Sequence, residues 1–225
     1  MTFDNILDTD KVMQLSSDNL EFGRLQGEFI VDKVGTSGKI LEVRGLPGIS
    51  VDLDRHQGLR DVLDQHGDIE IIEVVGNWDD GTAQKVVADA IATHGKFDGF
   101  AVQAGSTGAL RAILDADHPL VPMAAEAENG FRKMAAELKG DGLDVLSVGY
   151  SPALGAIAVK AAVSALEGNA LPQLMSIPLP VADTTTLEDG KNFWSNLDDN
   201  FFTPNEFPPC DVNFTAEEIM AQDVN

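Results

Sequence analysis

Short apolar runs alternate with longer segments of helical character along most of this chain, and this alternation restricts the possible folds more than any other feature. Short runs with several apolar residues predict strands at residues 39–44, 69–75, 97–103, 120–124 and 143–148, of which residues 69–75 are rich in β-branched side chains. Helices are predicted at residues 17–34, 50–66, 82–94, 109–115, 128–138 and 152–166, the last with Pro152 in its first turn. Alternating strands and helices form parallel βαβ units. The sequence therefore predicts an α/β fold: a parallel sheet with helices on both faces, followed by an irregular C-terminal tail.

The charge balance excludes several kinds of partner. The 225 residues include 37 acidic and 15 basic side chains, which gives a net charge of -22. This charge repels phosphate backbones and anionic lipid surfaces, so we expect no nucleic acid partner. The longest uncharged stretches, residues 145–159 and 168–182, are too short or contain several prolines, so we also expect no membrane-embedded segment. Residues 1–10 lack the basic and apolar regions of a signal peptide, so the chain expressed as given is expected in the cytoplasm. Cys210 is the single cysteine, which excludes an internal disulfide.

The loops after the predicted strands contain the candidate binding residues, because ligands of parallel sheets bind outside the carboxyl ends of the strands. Arg55 can present a planar fork of donors to a ligand, or it can pair with Asp52 or Asp54. Trp78 can stack on the apolar face of a sugar, or it can fold over the edge of the core. Glu126 can accept hydrogen bonds from ligand hydroxyls, or it can serve as a charge near a helix N-terminus.

Ser106 is the one candidate nucleophile. It lies in the segment AGSTG, residues 104–108, which resembles the nucleophile elbow of a serine hydrolase. A hydrolase triad of that kind needs an acid and then a histidine downstream, yet no histidine follows His118. No phosphate-binding, dinucleotide-binding or calcium-loop pattern occurs, and no cluster of histidine and cysteine offers a metal site. We therefore expect a binding protein with no catalytic residue, no cofactor and no metal, and a hydrolase using Ser106 is an alternative.

Seven segments, in their order and spacing, give the chain a family resemblance over residues 2–171. They are TFDNILD, SDNLEFGRLQGEFI, GKILEVRGLPGISVDLDRHQGL, GNWDDGTAQKVVADAI, FDGFAVQAGSTGALRAIL, EAENGFRKM and SVGYSPALGAIAVKAA. The chain resembles the sugar-type periplasmic binding proteins, the type I substrate-binding proteins of bacterial ABC importers, which are similar to ribose-binding protein. The resemblance implies two lobes that close on a small carbohydrate. It also implies a membrane permease as partner and a periplasmic location.

The resemblance also implies which residues bind the ligand. Matching positions in this chain are Asp4, Asn5, Arg55, Trp78, Glu126 and Tyr150. Ala104 stands where relatives can have an asparagine, which removes one expected hydrogen bond to the ligand. An effector-sensing domain like that of LacI-type repressors shares this fold and is the second alternative. We see no helix-turn-helix in this chain, and its charge opposes DNA.

The resemblance further suggests that most of the first lobe is missing, because the segment TFDN lies at the end of that lobe in the family. We expect a remnant of the first lobe and hinge at residues 1–11 and a second lobe at residues 12–149. Residues 150–182 would form a helix and a strand that return to the first lobe, and residues 183–225 the tail. An apolar helix face would then be uncovered: Leu154, Ile157, Ala158, Ala161, Ala162 and Ala165. With half of the cleft absent, we expect weak sugar binding or none.

Overall fold

Strands and helices alternate along the part of the chain that the computed structural model describes, residues 1–150, 154–202 and 221. The strands are β1 (Thr2–Phe3), β2 (Gln14–Ser17), β3 (Ser37–Arg44), β4 (Asp68–Val75), β5 (Gly99–Val102), β6 (Met123–Glu126), β7 (Val145–Val148), β8 (Leu174–Ile177) and β9 (Val181–Asp183). The helices are α1 (Asn19–Val34), α2 (Ser50–Leu63), α3 (Asp80–His94), α4 (Ser106–Asp115), α5 (Asn129–Leu138) and α6 (Leu154–Leu166), with a 3-10 turn at Lys139–Asp141.

The strands form two sheets of unequal size. The larger sheet has the order β4–β3–β5–β6–β7–β9, and its pairings are parallel except for the edge strand β9, which runs antiparallel to β7. The smaller sheet has the order β1–β2–β8 and is parallel. It joins the N-terminal residues to a strand 160 residues further along the chain, in the register Gln14↔Leu174. The chain therefore crosses between the two sheets after β2, after β7 and after β8.

Helices cover both faces of the larger sheet. Helices α1 and α2 pack on one face around Ile30, Leu59 and Leu63, while α3, α4 and α5 pack on the other face around Phe100 and its neighbours. The glycine at position 23 allows α1 to touch α2. A Cβ atom at Gly23 would lie 1.9 Å from the backbone oxygen of Arg55. This close contact fixes the height of α2 on the sheet and so the position of Arg55.

The predicted fold class is confirmed, because every predicted strand and helix of residues 17–150 is present within a few residues of its expected bounds. Strand β2 pairs in the smaller sheet, although the division at residue 12 placed these residues with the second lobe; the domain division itself stays a prediction. Pro152, Cys210 and the tail beyond residue 202, except residue 221, lie outside the described residues. No helix within the described ranges is both long and apolar enough to cross a bilayer.

The expectation of an uncovered apolar face on α6 is wrong in its residues. Leu154, Ile157, Ala158 and Ala161 are buried, and Ala162 and Ala165 are half-buried. The reason is that the smaller sheet supplies Leu15, Met175 and Ile177 to cover this face. The apolar side chains that α6 exposes lie on a different side of the helix: Val159, Val163 and Leu166.

Candidate functional site

A cavity of about 350 Å³ opens at the carboxyl ends of the larger sheet and extends to the smaller sheet. Five of the six predicted binding residues line it: Asp4, Arg55, Trp78, Glu126 and Tyr150. The remaining lining residues are mostly apolar: Phe3, Val51, Ala104, Leu154 and Phe202. The cavity thus combines aromatic and aliphatic walls with a few convergent charged and hydroxyl groups, which is typical of sites for small polar ligands.

Arg55 is the centre of the cavity's hydrogen-bond network. The residue is only 3 % exposed, and its guanidinium lies 3.9 Å from the ring centroid of Phe22 and 4.7 Å from that of Tyr150. Its Nε donates to Asn19 Oδ1 at 3.1 Å, and its Nη1 donates to the backbone oxygen of Gln103 at 2.8 Å. Stacking and bonding together hold the fork in one orientation. Pairing of Arg55 with Asp52, which the sequence left open, does not occur, because Asp52 pairs with Arg44 at 2.6 Å.

Glu126 faces Arg55 from the end of β6. Its Oε2 lies 3.5 Å from Arg55 Nη1, and the residue is 5 % exposed. Burial raises the pKa of Glu126, while the positive charge of Arg55 opposes that rise and the carboxylate of Asp4 adds to it. A buried acid with one long ion pair still has acceptor capacity. It can accept a hydrogen bond from a hydroxyl group placed in the cavity.

Asp4 and Tyr150 meet beside Arg55. Tyr150 Oη donates to Asp4 Oδ1 at 2.7 Å, and Asn19 Nδ2 lies 3.4 Å from the same hydroxyl. Burial is the main reason that the pKa of Tyr150 is raised to about 12, so this hydroxyl keeps its proton. Asp4 has a φ of 73°, in the left-handed region, and Ser16 Oγ donates to its backbone oxygen at 2.8 Å. The turn after β1 is therefore fixed in the conformation that directs Asp4 toward the cavity.

Trp78 forms the aromatic wall on the side of β4. It lies in a left-handed turn, with φ values of 56° at Asn77 and 57° at Trp78. Its Nε1 donates to Gln103 Oε1 at 3.3 Å. A Cβ atom at Gly45 would lie 1.9 Å from this Nε1, so the indole needs a glycine at that position. The side chain is half-buried and lines the cavity, which leaves part of its surface free to contact a ligand.

Asn5 is the predicted binding residue that does not line the cavity. Its Oδ1 instead accepts a hydrogen bond from Ser50 Oγ at 2.9 Å, at the start of α2. This bond ties the turn after β1 to the larger sheet's helical layer. Sequence reasoning missed Gln103, whose side chain joins Trp78, Gly45 and Asp52 in one network. Its place at the end of β5 was the available signal.

Ser106 does not have the surroundings of a nucleophile. The residue is fully buried, and among the described residues its hydroxyl has no hydrogen-bond partner. The start of α4 is occupied by the Glu128 carboxyl, which accepts from the backbone N–H groups of Gly105, Ser106 and Thr107 at 2.6, 2.9 and 2.8 Å. Burial and the charge of Asp80 raise the pKa of Glu128 to about 7, against the lowering effect of these donors.

One cluster joins residues that are far apart in sequence and that no sequence pattern connects. His56 Nδ1 lies 2.9 and 3.0 Å from the two carboxylate oxygens of Glu42, and Glu73 contributes a third potential ligand atom within 4.8 Å. Arg44 and Arg60 lie 3.3 and 3.6 Å from Glu73. Two guanidinium groups beside the cluster disfavour a divalent cation there, and we interpret it as an ion-pair network between β3, α2 and β4.

The geometry defines a ligand-binding α/β protein whose cavity lies where the chain crosses between two sheets. The family described as periplasmic binding protein domain matches residues 1–170, and the chain belongs to this family. The chain is similar to the "Ribose import binding protein RbsB" of Bacillus subtilis, with 25% identity over 182 residues that cover 80% of this chain and 58% of that protein. The protein of the same name from Haemophilus influenzae is 27% identical over 104 residues, 45% of this chain and 36% of the relative.

Solved structures share the fold at low sequence identity. The binding protein of the arabinose ABC transporter from Shewanella sp. ANA-3, bound to L-arabinofuranose, has a TM-score of 0.72 and 21% identity, covering 82% of this chain and 65% of that one. A solute-binding protein from Agrobacterium vitis, bound to D-tagatopyranose, has a TM-score of 0.73 and 19% identity, covering 84% and 68%. The chain thus spans only part of the length of the relatives to which it is similar.

Proposed function

We propose that this chain binds a small neutral sugar in the cavity and serves as the substrate-binding component of a bacterial ABC importer. This proposal replaces the expectation of weak binding or none, because strand β1 and the turn after it supply Phe3 and Asp4 to the cavity. The observation that carries the proposal is the convergence of Trp78, Asp4, Arg55 and Glu126 on one cavity of about 350 Å³. An indole face can cover the C–H groups of a sugar ring. Carboxylates accept from its hydroxyl groups, and the guanidinium donates to its oxygens.

The family and its relatives support the remaining parts of the proposal. The relatives are named as ribose import binding proteins, and the similar structures hold arabinose or tagatose. The proposed function includes delivery of the sugar to a membrane permease from the periplasm. None of the observations above favours the effector-sensing alternative or a hydrolase using Ser106.

Thermal unfolding with millimolar sugars is the direct test. We would use D-ribose, L-arabinose, D-allose, D-tagatose and myo-inositol, each with the wild-type chain. A sugar present at twenty times its Kd stabilises the native state by about 1.8 kcal/mol, which raises the unfolding midpoint by several degrees. A shift with one of these sugars supports the proposal, and no shift with any of them contradicts it.

A matched pair of variants assigns the binding to the cavity. Trp78→Ala removes the aromatic wall, and we expect it to weaken the affinity about tenfold, since aromatic contacts contribute about 0.5–1.5 kcal/mol beyond their buried area. Leu53→Ala removes an exposed apolar side chain of α2 that does not line the cavity, and it should leave the affinity unchanged. An NMR titration gives the Kd of each variant. Equal Kd values for both would show that the sugar binds elsewhere.

A further inference from the structure

We propose that the segment of residues 192–202, here named the tail segment, supplies a second aromatic wall to the sugar site through Phe202. This inference rests on the proposed function. Phe202 lines the same cavity as Trp78, Arg55 and Glu126. The family match covers residues 1–170, so this wall comes from a part of the chain that follows the family match. Its place in the site was not predicted, because no periodic pattern links it to the strands.

The tail segment is anchored by a side chain dedicated to it. Asn129, at the start of α5, is fully buried. Its Nδ2 lies 2.9, 3.3 and 3.0 Å from the backbone oxygens of Trp194, Leu197 and Asp198, and its Oδ1 accepts from the Trp194 N–H at 2.8 Å. A buried side-chain amide whose nitrogen and oxygen both form hydrogen bonds with one segment fixes the path of that segment.

Backbone pairing carries the tail segment from this anchor to the cavity. The N–H groups of Asn129 and Gly130 donate to the backbone oxygens of Phe201 and Asp199 at 2.9 and 3.0 Å. Phe202 forms an antiparallel bridge with Glu128. These bonds use the N–H groups that the first turn of a helix leaves free. Phe202 is therefore set in position by the start of α5, three residues after Glu126 at the end of β6.

Ion pairs hold the outer side of the tail segment. The Asp199 carboxylate lies 2.7 Å from Arg111 Nη2 and 2.6 Å from Lys133 Nζ, so it joins α4 to α5. These cations keep the pKa of Asp199 below its usual value, with the Lys133 hydrogen bond as the main cause. Lys133 also donates to the backbone oxygen of Leu197 at 2.9 Å. Two positive side chains in an acidic protein thus serve the attachment of this segment.

Trp78 and Phe202 also share a second, smaller recess of about 160 Å³, with Glu128 and Asp199 among its lining residues. The two aromatic side chains therefore lie at the boundary between the apolar cavity and this acidic recess. A sugar ring in the cavity would contact the indole of Trp78, in the loop before α3, and the ring of Phe202 in the tail segment. The chemistry that fits two aromatic walls is a pyranose or furanose with exposed C–H groups on its ring.

The test compares full-length variants by NMR titration with the panel sugar that binds the wild-type chain most tightly. We expect Phe202→Ala to weaken the affinity about threefold to tenfold, and Phe202→Tyr, which keeps the ring, to stay within about twofold of the wild type. Phe193→Leu is the matched control, because Phe193 belongs to the same tail segment but lines a different cavity. It should leave the Kd unchanged.

Amide exchange of Asn129 and Gly130 reports the seat of the tail segment without any sugar. Slow exchange of both amides in the wild type and in Phe202→Ala supports the placement, and fast exchange in the wild type overturns it. An unchanged or tighter Kd for Phe202→Ala also overturns the inference. The Phe202 ring would then contribute nothing to sugar affinity, or it would obstruct the sugar in the cavity. If Trp78→Ala weakens binding while Phe202→Ala does not, only this inference fails. If no sugar binds the wild type, both the proposed function and this inference fail.

Discussion

Replacement of Arg55 by methionine tests the electrostatic balance inside the cavity. The variant keeps an apolar side chain between Phe22 and Tyr150 but removes the donor to the Gln103 backbone oxygen and the positive charge beside Glu126. Removing one partner of a buried ion pair costs about 3–5 kcal/mol, because the other charge stays buried without compensation. We therefore expect the free energy of unfolding to fall by about that amount.

Urea unfolding followed by circular dichroism measures this loss. The double variant Arg55→Met with Glu126→Gln removes both charges, and we expect it to recover about 2 kcal/mol relative to Arg55→Met alone. Arg24→Met is the control, since the Arg24–Glu21 pair lies on the surface, and it should cost less than about 1 kcal/mol. A loss below about 1 kcal/mol for Arg55→Met, or additive losses in the double variant, would refute the claim that Glu126 depends on Arg55.

Two further predictions concern the ion-pair network and the aromatic wall. The hydrogen bond to Glu42 raises the pKa of His56 above 6.5, and burial raises that of Glu42, so the folded chain binds protons more tightly than the unfolded chain. The stabilisation from His56 is full below pH 6.5 and is lost as the pH rises through the raised pKa. Urea midpoints should fall with rising pH in the wild type and in the exposed-site control His94→Gln, but less in His56→Gln; parallel profiles would contradict this. Gly45→Ala should displace the Trp78 indole, shift its fluorescence and weaken sugar affinity about tenfold; unchanged spectra would show that the glycine is dispensable.

The sequence was sufficient to predict most strands and helices and the edge of the sheet at which the candidate cavity lies. The parallel strands β3 to β7 of the larger sheet are largely apolar runs bounded by polar loops, so local pattern alone predicts them, whereas the antiparallel edge strand β9 was not predicted. The carboxyl ends of parallel strands lie at one edge of the sheet. The sequence alone therefore led us to expect Arg55, Trp78 and Glu126 near one another. Their meeting in one cavity agrees with that expectation, while their role in binding sugar stays a prediction.

The partners of individual side chains could not be predicted in the same way. Arg55 and Asp52 are neighbours on α2, yet Asp52 pairs with Arg44, while Arg55 lines the cavity and donates to Asn19 and to the Gln103 backbone oxygen. The cluster of Glu42 and His56 joins a strand to a helix on one face of the sheet. Phe202 reaches the cavity through a buried amide in α5. Each of these contacts depends on the three-dimensional path of the chain, which the periodic pattern of apolar residues does not predict.

The capping of α4 by Glu128 has a consequence for which sugars can compete for the cavity. The N-terminus of a helix is a common place for a phosphate group, because its free N–H groups point outward. Here the N–H groups of Gly105, Ser106 and Thr107 already donate to an internal carboxyl group. A phosphorylated sugar would find no free donors at this helix, and it would meet the acids Asp4 and Glu126 in the cavity. If the chain binds a sugar as proposed, these acids and the occupied helix N-terminus disfavour a sugar phosphate relative to an uncharged sugar.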